Sequence, residues 1–263
     1  MIYVCIPSYN EAQTIGLLLW KIRQVFAGFP REYQLLVLDD GSSDETPDVL
    51  ERYTRVLPLT VTRHEERKGY AASIEALLRQ AVERTDRPKR DSAVLMHADF
   101  AHGPSSIPDL VRRIESGADI VVAQGKLQGE PSRIRRLIRR LAPVLLRGTV
   151  TVPGVSDVVS GFSIFRLVTL RNAFRSSAGP LLTTEGWAAN AELYARTARY
   201  ARRLETIAAV ERRDLRMRPS RVTSWGAARA VWGSRGALRQ VPPLPRGESE
   251  DGGETGRQAE AVT

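Results

Sequence analysis

Two short apolar runs, each broken by a cluster of polar and turn-forming residues, constrain this 263-residue chain more than any other feature. The first, Ile2 to Ile6, breaks at Pro7 and gives Ser8, Tyr9, Asn10 and Glu11 before apolar residues recur at helical spacing from Ile15 to Phe26. The second, Leu35 to Leu38, ends in Asp39, Asp40, Gly41, Ser42, Ser43 and Asp44. Thr46 is predicted to cap the helix that follows, with Pro47 at its first position. Units of this β-turn-α kind place polar residues at the carboxyl ends of parallel strands, the edge where open α/β sheets bind ligands. A structural turn needs only the glycine and one capping aspartate. The adjacent pair Asp39 and Asp40 therefore suits a ligand: a nucleobase ring N–H, ribose hydroxyls, or a metal ion.

A third unit occupies residues 93–111, AVLMHADFAHGPSSIPDLV, where another apolar strand ends in a polar cluster containing His97, Ala98, Asp99 and His102. Further strands are predicted at Leu59 to Arg63, Ser92 to Met96 and Asp119 to Ala123, with helices at Tyr70 to Glu83, Ser106 to Glu115 and Ala188 to Arg202. This alternation has the spacing of βαβ units, so the expected fold is α/β, a Rossmann-like, mostly parallel sheet flanked by helices. Lys68 and Gly69 open the third helix, where a glycine permits close backbone approach.

With 42% hydrophobic residues, a chain of this length can bury one large core without a second domain. We expect the folded domain to span residues 1–240 and the Pro/Gly/Glu-rich residues 241–263 to form a disordered tail. Residues 247–263 hold five acids and one base, so the formal charge of +9 understates the body, which carries 38 basic against 25 acidic groups. Basic charge alone is nonspecific and no motif for reading nucleic acid accompanies it, so nucleic acid is not an expected partner. The lone Cys5 lies inside an apolar strand and reads as a core residue, which excludes an intrachain disulfide. No run of about 18 apolar residues occurs, and Met1 leads straight into the first strand. The expectation is a cytoplasmic protein whose membrane contact is peripheral, on the inner face.

The blocks VCIPSYNE, LDDGSSDET and HADFAHGP, followed by DVVSGFSIFR (Asp157 to Arg166), EGWAANAEL (Glu185 to Leu193) and the basic RMRPSR (Arg216 to Arg221), fall in a recognisable order. Together they resemble the family 2 glycosyltransferases of GT-A fold, most closely the dolichol-phosphate mannose synthase or polyprenyl-phosphate glycosyltransferase type. The resemblance runs from Ile2 to about Ser224, and the RKGYAAS stretch after the third strand is similar to a further segment of that family. It implies an inverting enzyme that moves a sugar from a nucleotide-diphosphate sugar, UDP- or GDP-linked, to an acceptor. Carried over residue by residue, it implies that Pro7, Tyr9, Glu11, Asp39, Asp40 and Ala98 line the nucleotide pocket. Asp157, with Ser160 and Gly161, shapes the sugar and acceptor side, while Arg216, Arg218 and Arg221 grip the diphosphate or an acceptor phosphate.

Breaking the bond between an anomeric carbon and a diphosphate develops negative charge on the leaving group, which calls for a divalent cation, arginines, or both. In the resembled family an acid-x-acid motif binds Mg²⁺ or Mn²⁺ beside the diphosphate. Here the motif reads His97, Ala98, Asp99, so its first acid is replaced and Asp99 keeps the second. Imidazole suits Mn²⁺ better than Mg²⁺, and the expected site is a weak one. A polyprenyl phosphate acceptor is already an anionic nucleophile near neutral pH, its second ionisation lying near about 6, and needs no strong base. A sugar or alcohol hydroxyl needs a carboxylate to take its proton, with Glu185 and Glu192 as the candidates. The altered motif also leaves open a sugar-nucleotide binder without activity.

One further segment bears on the acceptor. Between Ser132 and Leu146, Ile134, Leu137, Ile138 and Leu141 share a helical face, with Arg133, Arg135, Arg136, Arg139 and Arg140 around it. This is the pattern of a helix lying on an anionic membrane surface, and equally of a solvated helix packed on its own domain. Trp225 and Trp232, seven residues apart, suit either an interfacial anchor or a core.

Overall fold

The computed structural model describes residues 1–99, 102–128 and 160–212. The strands are β1 (Ile2–Ser8), β2 (Tyr33–Asp39), β3 (Leu59–Arg63), β4 (Ser92–Leu95), β5 (Ile120–Gln128), β6 (Ser163–Arg166) and β7 (Leu204–Arg212). The helices are α1 (Ala12–Gly28), α2 (Thr46–Thr54), α3 (Tyr70–Arg84), α4 (Ile107–Glu115), α5 (Leu167–Arg175) and α6 (Trp187–Ala198). Among these residues one sheet forms in the order β3-β2-β1-β4-β6-β5-β7. All its pairings are parallel except those of β6, which runs antiparallel to both β4 and β5. The chain steps from β1 outward to β2 and β3, then returns to place β4 on the other side of β1. That reversal opens a crevice beyond the carboxyl ends of β1 and β4.

The central strands are apolar on both faces because helices cover both. Tyr3 and Cys5, with Leu36, Leu38 and Leu95, pack into the layer that contains α3, α5 and α6. Val4 and Ile6, with Leu35, Val37 and Val94, pack into the layer of α1, α2 and α4. In α1 the buried Ile15, Leu18, Leu19, Ile22 and Phe26 recur at helical spacing and form its inner stripe. Cys5 is fully buried, and burial keeps its thiol protonated, as a core residue.

Several boundaries differ from the sequence expectation for identifiable reasons. The first strand does not stop at Pro7 but continues to Ser8. Its pairing with β4 ends at Cys5, so Pro7 lies where β1 has only β2 as neighbour and the missing N–H interrupts no ladder on the other side. Thr46 is the first residue of α2, not its cap; its hydroxyl accepts the Glu11 amide at 2.8 Å and so ties one turn to the next. Asp119 lies just before β5, because its carboxylate accepts from Arg166 Nε at 3.0 Å and from the Arg202 amide at 2.9 Å. The last helix ends at Ala198, not Arg202, since Tyr200 and Ala201 close turns onto Thr197 and Ala198 before β7 begins. The expected tail at 241–263, the amphipathic segment from Ser132 to Leu146, and Trp225 and Trp232 lie outside the described residues. Among the described residues no helix is long and apolar enough to cross a membrane.

Candidate active site at the strand ends

The turns after β1 and β2 are stapled to each other. Asn10, at φ 51°, donates its amide to Ser42 Oγ and accepts the Ser43 amide on Oδ1, each at 2.8 Å. The Ala12 amide donates to Asp44 at 3.2 Å. These bonds satisfy amides at the start of α1 that the helix itself cannot pair, and they tie the two strand-end turns together. The Glu11 carboxylate folds back onto the first turn of α1, where it accepts the Thr14 hydroxyl at 2.9 Å and is buried. Pro7 and Tyr9 are half-buried at the rim. The Arg67 guanidinium lies 4.3 Å from the centre of the Tyr9 ring.

Asp39 and Asp40 are neighbours with different employment. Asp40 accepts the Lys68 amide at 2.8 Å and the Gly69 amide at 2.9 Å, one on each oxygen, and pairs with His64 Nδ1 at 2.8 Å. A carboxylate can only accept, which places the imidazole proton on Nδ1. Asp40 thus clamps the loop after β3 and the start of α3 onto the end of β2. Gly41 permits this approach: at φ +69° a Cβ there would lie 2.9 Å from the Arg67 nitrogen. Asp39 uses Oδ1 to accept the Ser42 amide at 3.2 Å, while its buried Oδ2 has no hydrogen-bond partner and faces Arg63 Nε at 3.4 Å.

On the far side of the crevice, His97, Ala98 and Asp99 leave the end of β4. Ala98 is buried with the layer of α1 and α4, so only its backbone is placed to meet a ligand. Asp99 is 8% exposed. The His97 ring stacks on Tyr70 at 5.1 Å between centres, with the Tyr70 hydroxyl 3.4 Å from Nε2. That hydroxyl donates to Asn190 Oδ1 at 2.9 Å. Desolvation raises the Tyr70 phenol, with Tyr194 and Asp99 adding to the rise and the Asn190 bond opposing it, so the hydroxyl stays a donor. Ser160 donates to the Ala123 carbonyl at 2.7 Å, and Tyr194 donates to the Ser160 carbonyl. The segment is thereby held with Gly161 directly against the His97 imidazole. Among the described residues no three His, Cys, Asp or Glu side chains gather as a metal site.

The two candidate bases are separated by what surrounds them. Glu192 is fully buried and accepts the amides of Thr183 and Thr184 at 2.8 and 2.9 Å, both their hydroxyls, and Arg196 Nε. Burial pushes its carboxyl up, but those bonds outweigh it and hold it below the ordinary range. It is placed as a structural carboxylate, poorly suited to accept a proton. Glu75 does the same for the amides of Leu181 and Leu182 at 2.9 and 2.8 Å. The anchored segment delivers Glu185, which is exposed, to the start of α3, where it lies against Gly69. Asp157, Arg216, Arg218 and Arg221 lie outside the described residues. The sequence reading missed Arg63, His64, Arg67, Tyr70 and Asn190. Arg63 and His64 sit where β3 ends, and that position at the carboxyl edge was their signal; Arg67 and Tyr70 lie within RKGYAAS and Asn190 within EGWAANAEL, the blocks whose family resemblance pointed to this region.

The family model described as glycosyl transferase family 2 matches residues 3–173. A dolichol-phosphate mannosyltransferase of Pyrococcus furiosus is 30% identical over 171 residues, 62% of this chain and 45% of that protein. An undecaprenyl-phosphate 4-deoxy-4-formamido-L-arabinose transferase of Photorhabdus laumondii is 27% identical over 153 residues, 56% of this chain and 42% of that protein. The chain therefore matches less than half the length of these relatives. In structure it is similar to glucosyl-3-phosphoglycerate synthase of Mycobacterium tuberculosis, with a TM-score of 0.64 at 19% identity over 92% of this chain and 82% of the other. It is also similar to a mannosyltransferase of Pyrobaculum calidifontis in complex with GDP-Man and Mn²⁺, with a TM-score of 0.61 at 19% identity over 92% and 65% of the two chains.

Proposed function

The chain belongs to glycosyltransferase family 2 and has the GT-A fold, and from that premise we propose that it transfers a sugar from a UDP- or GDP-linked donor to a polyprenyl phosphate at a membrane surface, with inversion. The observation that carries the reading is the crevice between β1 and β4. On one side stands Asp39, with a buried carboxylate oxygen that lacks a hydrogen bond; on the other stands Asp99. A nucleoside fits the first and a diphosphate the second.

A divalent cation, when bound, supplies positive charge to the leaving diphosphate. Asp99 would hold it, with diphosphate oxygens completing the shell, the arrangement Mg²⁺ and Mn²⁺ commonly adopt with one or two carboxylates. The residues present fit a site completed by substrate. The acceptor phosphate attacks the anomeric carbon directly, and the structural employment of Glu192 agrees with a reaction that needs no strong base. The two polyprenyl-phosphate transferases among the relatives support this acceptor.

The exposed Glu185 favours a second reading, transfer to a sugar or alcohol hydroxyl with Glu185 as base. Mass spectrometry after incubation with a panel of sugar nucleotides and both acceptor types decides between them. The first reading predicts a glycosylated polyprenyl phosphate whose formation survives Glu185→Gln. A product formed only on hydroxyl acceptors and lost in Glu185→Gln establishes the second.

A further inference from the structure

The outer face of α1 is poorly suited to water, and we infer that it docks the domain onto an anionic lipid surface; the inference rests on the membrane-borne acceptor proposed above. Among the described residues the exposed large hydrophobic side chains are Leu17, Trp20 and Val56, at 49%, 46% and 63%. Leu17 and Trp20 are neighbours one turn apart on α1. Val56 comes just after α2, the helix that packs on α1 with Tyr53 3.0 Å from where a Gly16 Cβ would stand. At helical spacing the outward stripe of α1 runs through Gln13, Leu17, Trp20, Gln24 and Ala27, all exposed and none charged. A helix face kept in water normally carries charge, and with 26% charged residues this chain had them to place there.

The charges that α1 does carry select the occupant. Lys21 and Arg23 flank the stripe, one on each side by the helical turn, and the helix holds no acidic residue. A second copy of this face would bring those bases together with no acid on α1 to receive them. A stable protein interface also needs on the order of 1,000 Å² in all, more than two half-exposed apolar side chains supply. A lipid surface asks for less. Tryptophan sits at the headgroup level, leucine enters the acyl boundary, and Lys and Arg lay their aliphatic stems along apolar surface while their charges reach anionic headgroups. Because α1 starts just beyond the carboxyl end of β1, Leu17 and Trp20 lie only about 8 and 12 Å along the helix from its first residue at the crevice edge. Docking this face keeps the crevice within reach of an acceptor whose tail stays in the bilayer. One weak element holds a membrane only marginally, so this face and the basic segment from Ser132 to Leu146 act together.

Co-flotation of the full chain with vesicles of phosphatidylcholine and phosphatidylglycerol tests the docking, with thermal melts confirming that each variant folds. Partition of Leu17→Ser/Trp20→Ser should fall about tenfold or more below wild type, and that of Lys21→Glu/Arg23→Glu by a similar factor. Transfer to a short-chain, water-soluble polyprenyl phosphate should be unchanged in both variants, while transfer to a long-chain acceptor in the vesicles falls with partition. Unchanged partition in both folded variants overturns the docking. So does a wild-type dimer in gel filtration that Leu17→Ser/Trp20→Ser dissolves, which would make the face a contact between copies. If the variants lose the vesicles but wild type glycosylates neither the short-chain nor the vesicle-borne acceptor, the docking stands and the acceptor reading fails.

Discussion

The imidazole of His97 fills the space that any side chain at residue 161 would need, since a Cβ added to Gly161 would overlap Nε2 of that ring. The segment after β4 and the segment before β6 are therefore fitted to each other through one glycine and one histidine. Gly161→Ala should destabilise the protein by about 1–3 kcal/mol and push the ring off Tyr70, lowering transfer activity further than the stability loss alone accounts for. Combining it with His97→Ala removes the collision, and chemical denaturation should show most of the stability restored. A loss in the double variant equal to the sum of the losses in Gly161→Ala and His97→Ala would mean that the two residues are not coupled.

Asp40 carries a prediction that its sequence neighbour does not. Removing its carboxylate strands the amides of Lys68 and Gly69 and the His64 imidazole together. Asp40→Ala should cost about 1–3 kcal/mol of stability in urea titration, and Asp40→Asn less, because one acceptor oxygen remains. An Asp40→Ala protein as stable as wild type would contradict the clamp.

Glu192 gives a pH signature. Its folded value lies below the unfolded one, so its contribution is fully present above the unfolded value of about 4.3 and is lost as pH falls through the lower folded value. Glu192→Gln should therefore destabilise by about 1–3 kcal/mol at pH 7, with the gap to wild type closing in acid below about pH 4. A gap that stays constant from pH 7 into that acid range would show that the charge is not what the loop needs.

The parts of this protein that were legible in the sequence are those written locally. The runs ending at Ser8 and Asp39 announce strands because burial on both faces leaves no polar residue until the chain emerges, and α1 announces itself by the spacing of Ile15, Leu18, Leu19 and Ile22. What stayed hidden depends on tertiary contact. Tyr70 meets Asn190 across 120 residues of chain, and no local pattern encodes that pair. Thr46 has the chemistry of a helix cap, but the Glu11 amide competes for its hydroxyl. Asp39 and Asp40 look alike in sequence and differ only because α3 begins beside one of them.

For the segment from Ser132 to Leu146, each arginine near an anionic surface contributes about 1 kcal/mol, decaying within a Debye length. Flotation with anionic liposomes should recover the protein with lipid, neutral liposomes should recover little, and changing Arg135, Arg136, Arg139 and Arg140 to Glu should abolish recovery. Equal flotation of wild type and variant would make this a solvated face and shift the favoured acceptor toward a soluble hydroxyl.

The most direct test of sugar transfer follows donor and acceptor in one reaction. Wild-type protein is incubated with a sugar-labelled UDP donor, Mn²⁺ and a polyprenyl phosphate in anionic vesicles, with the GDP donor run in parallel, and the nucleoside diphosphate and the lipid-extractable label are counted together. The account predicts equal amounts of the two, and loss of most of both in Asp99→Asn. A nucleotide sugar that binds yet releases neither nucleoside diphosphate nor labelled product with lipid or hydroxyl acceptors would contradict it, and would make the chain a binder that does no chemistry.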